Sequence, residues 1–236
     1  MKYFIISDVH SAPLTYQHFI DKGFDKHDNS HEIVFLGDLF DRGKHSLGVL
    51  QLVRELKRDI GDRLVLVVGN HDEMLRDFCS SMIEMSNTIY DEVDCDQELY
   101  IHWMENGGKA TARGLIGGLT KAAGYSNSKR LRAIDLIELV DGMMDYYETN
   151  EYIFTHAAIN AKGEIDPWDR GFFYSDNPMG KDVFIGHTRH ADIKAFPDDD
   201  IKEWVLECGG KALSYEKNNV YNIDDGTGLN IVVLEE

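Results

Sequence analysis

The strongest constraint on this chain is that its short apolar runs keep ending in the same kinds of residue. Run 3–7 leads into Asp8-Val9-His10, run 32–36 into Gly37-Asp38-Leu39-Phe40-Asp41-Arg42-Gly43, and run 64–68 into Gly69-Asn70-His71-Asp72. Run 151–155 delivers His156, and run 182–185 delivers Gly186-His187-Thr188. Each run is short and rich in Val, Ile, Phe or Tyr, the pattern of a buried strand. In α/β sheets the carboxyl ends of parallel strands line the binding crevice, so five strands would bring Asp, His or Asn to one edge.

Helical patterns alternate with these runs. In 45–60, Val49, Val53, Leu56 and Ile60 lie on one helix face, and in 129–147 Leu131, Ile134, Ile137, Val140, Met144 and Tyr147 repeat the spacing. Further runs at 203–206, 219–223 and 229–234 make the last third mostly strand. The expected fold is therefore α/β, with parallel strands in the first half and a second, partly antiparallel sheet. The stretch 72–147 reads as a mainly helical cap within a single domain, 1–236.

Charge and cysteine content bound the partners. With 42 acidic against 24 basic side chains in 236 residues, the net charge of −18 disfavours non-specific nucleic-acid binding. Any phosphorylated substrate needs a local positive site. The three cysteines, Cys79, Cys95 and Cys208, are an odd number without a CxxC pair, which suits reduced thiols. No apolar stretch is long enough for a membrane span, and the N-terminus reaches Asp8 and His10 without a secretory signal. A cytoplasmic location is expected, the host cytoplasm if the chain is viral.

Oxygen and imidazole donors without sulfur suit Mn²⁺, Fe or Zn²⁺ in a hydrolytic site. Their number favours two ions. Asp8, His10 and Asp38 can hold one, and Asn70, His156 and His187 the other, with Asp38 bridging. Ions about 3.5–4 Å apart can hold a hydroxide between them and clamp a phosphoryl displacement.

The series DxH, GDxxDRG, GNHD, a downstream His and GHT, from Asp8 to Thr188, resembles that of the calcineurin-like metallophosphoesterases. It is similar in particular to the branch holding phosphoprotein phosphatases and symmetrical diadenosine tetraphosphatases. The segments Trp103-Met104-Glu105-Asn106-Gly107-Gly108 and Trp168-Asp169-Arg170 resemble those of bacteriophage lambda-type and bacterial Ser/Thr phosphatases. The resemblance implies a four-layer sandwich of two mixed β-sheets flanked by helices, and the ligand roles given above. It also implies His71 as general acid, Asp41 as its orienting partner, and Arg42 and Arg170, with Asn70, as binders of the substrate phosphate. Val68 stands where many phosphoprotein phosphatases have Arg, and Asp72 where they have Glu; both choices lean toward the tetraphosphatases.

The implied activity is hydrolysis of phosphomonoesters, first of all phosphoserine and phosphothreonine in proteins, by a metal-bridging hydroxide. The alternatives are a symmetrical dinucleoside tetraphosphate hydrolase and a non-catalytic interaction module on the same fold. The basic residues Lys109, Arg113, Lys121, Lys129, Arg130 and Arg132 form either a solvated helix face or a rim that steers phosphates. Trp103 and Trp168 are expected in the core, His190 at the surface or behind the ligands, and the role of Asp225 is open.

Overall fold

The computed structural model describes the chain apart from residues 87–96, 118–126, 161, 171–176, 178, 195–201, 208–210 and 218. Two mixed sheets carry the fold. The first joins β1 (Lys2–Ile6), β2 (His31–Phe35), β3 (Leu64–Leu66) and β10 (Val232–Glu235) in the order β10-β1-β2-β3. Strands β1, β2 and β3 run parallel, and β10 returns antiparallel against β1. The second joins β4 (Tyr146–Glu148), β5 (Tyr152–Thr155), β6 (Asp182–Ile185), β7 (Lys202–Glu207), β8 (Lys211–Lys217) and β9 (Val220–Asn222) in the order β4-β5-β6-β9-β8-β7. Its centre, β5-β6-β9, is parallel and its margins are antiparallel.

The two-residue period of each strand divides the core into layers. On β1, Tyr3 and Ile5 turn toward the second sheet and meet Phe154, Phe184, Ile223 and Val232. Phe4 and Ile6 turn the other way, into a cluster with residues of α1 (Tyr16–Asp21), α2 (Ser46–Ile60), α3 (Asn70–Ser86) and α6 (Asn127–Asp141). On the second sheet Phe154 and Phe184 face inward, while Ile153, Val183 and Ile185 face outward onto Ile193 of the short helix α7 (His190–Lys194). Central strands buried on both faces read as unbroken apolar runs.

The helical stretch holds α3, α4 (Gln97–Glu105), α5 (Gly108–Thr111) with the following turn of π-helix, and α6. Leu75, Phe78, Trp103, Leu115 and Leu136 share one cluster with Phe4 and Phe35 of the first sheet. We therefore propose that 1–236 is one domain, with the helical stretch an insertion into it.

Two readings of the sequence are corrected. The helical pattern over 129–147 ends at Asp141, and Tyr146–Glu148 forms β4 against β5. Of the expected face of α6, Val140 is buried and Ile137 packs partly against the core, but Leu131 is 62% exposed, and Ala133 and Leu136 complete the buried face against α3. Strand β8 was not anticipated; its polar sequence acquires strand form by pairing with β7 and β9.

The inter-sheet layer sets the relative position of the two edges where the polar strand ends gather. Phe154→Ala, in that layer, should cost about 3–5 kcal/mol of unfolding free energy by loss of transfer energy and a residual cavity. Urea unfolding of the metal-saturated protein measures it; a loss under about 1 kcal/mol would mean that the layer repacks freely.

Candidate metal centre

Strand ends converge as the sequence suggests. Asp8 and His10 follow β1, Asp38, Asp41 and Arg42 follow β2, Asn70 and His71 open α3 after β3, His156 follows β5, and His187 follows β6. All but His10 and Arg42 of these are buried. The backbone there is strained: Asp8, His10, Asp38, Asp41, Arg42 and His187 all have φ between 44 and 68°. Such left-handed residues cost about 1–3 kcal/mol each and persist only where the surroundings over-determine them. Two glycines leave room for the carboxylates. A Cβ on Gly69 would strike the Asp38 carboxylate, and one on Gly186 would strike that of Asp8.

Asp38 lies at the middle. Its Oδ2 is 3.4 Å from His10 Nε2 and its Oδ1 is 3.5 Å from His156 Nε2. Two groups of potential ligand atoms share it: His10, Asp38 and His71 on one side, and Asp38, His156 and His187 on the other. Asn70 Oδ1 is 3.1 Å from His156 Nε2. Asp8 Oδ1 lies 3.8 Å from His10 Nε2, while its Oδ2 accepts the His187 backbone N–H at 2.8 Å. On the first side the tightest group thus includes His71 in the place expected of Asp8.

The imidazoles are held in one tautomer. His10 Nδ1 donates to the Phe40 carbonyl at 2.9 Å, and His156 Nδ1 donates to that of Leu36 at 2.6 Å. Their Nε2 lone pairs are left facing the carboxylates. For His156 this sets a lone pair against the oxygens of Asn70 and Asp38, an arrangement that a cation between them satisfies. His187 Nε2 is buried without a hydrogen-bond partner among the described residues.

Beside the centre, His71 Nδ1 donates to Asp41 Oδ2 at 2.9 Å, and Trp103 Nε1 donates to the same oxygen at 2.8 Å. Arg42 donates from Nη1 to His10 Nε2 at 2.6 Å and from Nη2 to His71 Nε2 at 2.8 Å. Arg170 stands at the rim, donating to the His187 carbonyl and Thr188 Oγ1, each at 3.2 Å.

Protonation follows from burial. Burial first, then the Arg42 guanidinium, hold His10 well below the ordinary imidazole value and bring His71 to about 3. His187 is lowered by burial and then by His156 and Arg170. Burial pushes Asp8 and Asp38 well above the ordinary carboxylate range, and the carboxylates of Asp224 beside Asp8 and of Asp72 beside Asp38 add to it. Burial likewise takes Asp41 to about 7 against the lowering effect of Thr111, Trp103 and Arg42. The bare cluster thus holds carboxylates that resist ionising and imidazoles that resist protonation. A divalent cation relieves both, and the nitrogen and oxygen donors suit one.

Sequence reasoning missed three supports. Trp103 is in the core as expected, but it also fixes Asp41. Asp72 accepts backbone N–H bonds from Gly69, Asp38 and Leu39 at 3.1, 2.8 and 3.1 Å, locking the ends of β2 and β3 together. Asp224, rather than Asp225, is buried near Asp8. The first two sat inside segments already singled out; nothing in the sequence distinguished Asp224. Trp168 departs from expectation at 42% exposure, lying against His102, because it sits on an irregular loop outside every core cluster. His190 is buried, its Nε2 bonded to the Asn222 carbonyl. Of the basic segment, the Gly107 carbonyl accepts the Arg42 N–H and Thr111 Oγ1 accepts that of Asp41, while Lys121 lies outside the described residues.

The family model for calcineurin-like phosphoesterases matches residues 1–213. The chain belongs to the calcineurin-like phosphoesterases. Over 63 residues, 24% of this chain and 26% of the relative, this phosphoesterase is 36% identical to bis(5′-nucleosyl)-tetraphosphatase PrpE (asymmetrical) of Bacillus thuringiensis, with the same figures for the Bacillus cereus protein. The match spans about a quarter of the length of these curated relatives. Among solved structures, the cold-active protein-tyrosine phosphatase of a psychrophilic Shewanella aligns with a TM-score of 0.50 at 15% identity, covering 99% of this chain and 75% of that one. A chain described as a diadenosine tetraphosphatase aligns with a TM-score of 0.50 at 14% identity, covering 99% and 92%. At such identity these two speak for the shared fold. No described helix is long and apolar enough to cross a membrane.

Two measurements follow. Excess Mn²⁺ should raise the melting temperature over that in chelator, since a ligand at a hundredfold its Kd stabilises by about 2.7 kcal/mol, and Asp38→Asn should abolish most of the rise. A full metal response in Asp38→Asn would remove Asp38 from the centre. Gly186→Ala should displace Asp8 and weaken metal binding by at least about tenfold, read by calorimetric titration, the range seen when supports of a metal site are lost.

Proposed function

We propose that the protein is a dinuclear metal phosphatase acting on phosphomonoesters, phosphoserine and phosphothreonine in proteins above all. The observation that carries this reading is one carboxylate, Asp38, common to two convergent ligand groups, beside an Arg42–His71–Asp41 chain. We assign Asp8, His10 and Asp38 to one cation, and Asn70, His156, His187 and Asp38 to the other. Mn²⁺ is the first choice, with Fe and Zn²⁺ the alternatives. When bound, the ions supply Lewis-acid stabilisation of the phosphoryl group and acidify water.

The remaining work falls to side chains. The Arg42 guanidinium spans His10 and His71, and a phosphate laid over these rings offers it two oxygens in matching fork geometry. Transfer of Arg42 to the phosphate frees His71 Nε2 and removes the second largest cause of its lowered pKa. Asp41, fixed by Trp103, then favours the imidazolium, and His71 protonates the leaving oxygen as general acid. Asn70 and Arg170 add contacts to the phosphate oxygens from the cluster and from the rim. Donors aimed at the developing charge supply the electrostatic part of the rate enhancement.

The similarity to PrpE supports a second reading, hydrolysis of dinucleoside tetraphosphates. That relative's printed specificity is asymmetrical, whereas the residue motifs resemble those of symmetrical enzymes. A non-catalytic role on this fold has least support, since every ligand position and His71 are filled.

With Mn²⁺, the protein should release phosphate from p-nitrophenyl phosphate, and His71→Asn should reduce kcat by about 10²–10⁴-fold with metal content retained. An unchanged rate would take His71 out of the chemistry. Comparison of kcat/KM for phosphoserine peptide, phosphotyrosine peptide and diadenosine tetraphosphate under one metal condition separates the two readings.

A further inference from the structure

A cavity of about 270 Å³ opens beside His156. Glu73, Asp145, Tyr146, Thr155 and Pro167 line it together with Val68 and Ile165. Its two carboxylic side chains, Glu73 and Asp145, give it an acidic wall. Glu73 and Asp145 are acceptors, and the wholly buried Thr155 has a hydroxyl that meets no partner among the described residues. Arg76 is the nearby cation, yet it lies 2.9 Å from Asp77 and 3.9 Å from Glu73, so it is held outside the cavity wall. Asp145 carries no ion pair among the described residues and is exposed at the mouth.

The mouth is also rigidly placed. The Val68 N–H donates to the Met144 carbonyl and the Met144 N–H to that of Leu66, both at 2.9 Å, pinning the segment that bears Asp145 and Tyr146 to the end of β3. Tyr146 is 43% exposed and presents an aromatic surface next to the carboxylate. A ligand for this cavity must donate hydrogen bonds on two sides, carry positive charge, and tolerate apolar contact along its length. The side chain of Lys or Arg does all three: its stem suits Val68, Ile165 and Pro167, and its head suits the carboxylates and the Tyr146 face. An adenine ring offers one amino group and turns ring lone pairs toward the carboxylates, while the phosphates attached to it are repelled by them.

We propose that the cavity walled by Glu73, Asp145, Tyr146 and Thr155 is a subsite for a cationic side chain lying within one or two residues of the phosphorylated residue in a protein substrate. This rests on the phosphatase reading above and adds the substrate class: basic-flanked phosphopeptides. The carboxylate Asp145 selects, and His156 at the cavity floor marks how near the selection lies to the chemistry.

The test uses the Mn²⁺-loaded full chain and one phosphothreonine peptide made with Arg, Ala or Glu beside the phosphorylated residue on either side. The Arg peptide should exceed the Ala peptide in kcat/KM by about three- to thirtyfold, the combined range of an exposed ion pair and a cation–π contact, and the Glu peptide should fall below both. The preference should shrink with added salt. Asp145→Lys, at an exposed position, should invert the order of the Arg and Glu peptides, and Tyr146→Ala should narrow the spread without inverting it. Equal kcat/KM for the three peptides, or an Asp145→Lys protein that keeps the original order, overturns the subsite and leaves the phosphatase reading standing. Diadenosine tetraphosphate hydrolysed faster than every peptide, with a rate that falls in Tyr146→Ala, makes the cavity a base site and overturns the proposal as well. No release of phosphate from any peptide or from p-nitrophenyl phosphate overturns both.

Discussion

Of the five aspartates buried among the described residues, four, Asp8, Asp38, Asp72 and Asp224, meet at the seam between two sheets, and the rest of the structure answers the cost of putting them there. An isolated buried carboxylate is expensive, and several together repel one another. Each accepts at least one backbone N–H: Asp8 from His187, Asp38 from His71, Asp224 from Gly226, and Asp72 from three residues. To aim those donors the chain leaves its strands through left-handed residues, which is why the strained positions coincide with the site. The oxygen and nitrogen donors gathered there are of the kind that suits a divalent cation.

The two sheets have separate tasks in this. The first supplies Asp8, His10, Asp38 and, through the start of α3, Asn70 and His71; the second supplies His156 and His187. Neither edge alone makes the centre, so the aromatic layer of Tyr3, Phe154 and Phe184 governs how well the halves align. A site assembled across a packed interface is stiffer than one on a loop, which suits chemistry that depends on in-line positioning.

Much of this could be read from residue order. Runs such as 3–7 and 32–36 are apolar on both faces and stop abruptly at Asp or Gly-Asp, so strand, burial and the edge where the polar side chains gather were all legible there. What failed depended on tertiary contacts. Tyr147 continues a helical spacing by coincidence and becomes strand because β5 offers it a partner. The polar run of β8 has no strand signature apart from its neighbours. That Trp103 bonds Asp41, 62 positions away, requires knowing how α4 docks, and adjacent Asp224 and Asp225 differ only in which one the turn directs inward. Trp103 and Trp168 show the limit well: similar short motifs place the first at full burial and the second at the surface.

Gly69 and Gly186 are pressed against carboxylates that have nowhere else to go, so the heart of the molecule admits almost no change of side chain. The segment bearing Asp145 and Tyr146 is anchored by main-chain bonds to the end of β3 and by Tyr147, which bonds Glu32 and stacks on Phe154, while the side chains of Asp145 and Tyr146 themselves face solvent. Substitution is therefore tolerated far more readily at Asp145 and Tyr146 than at the packed glycines.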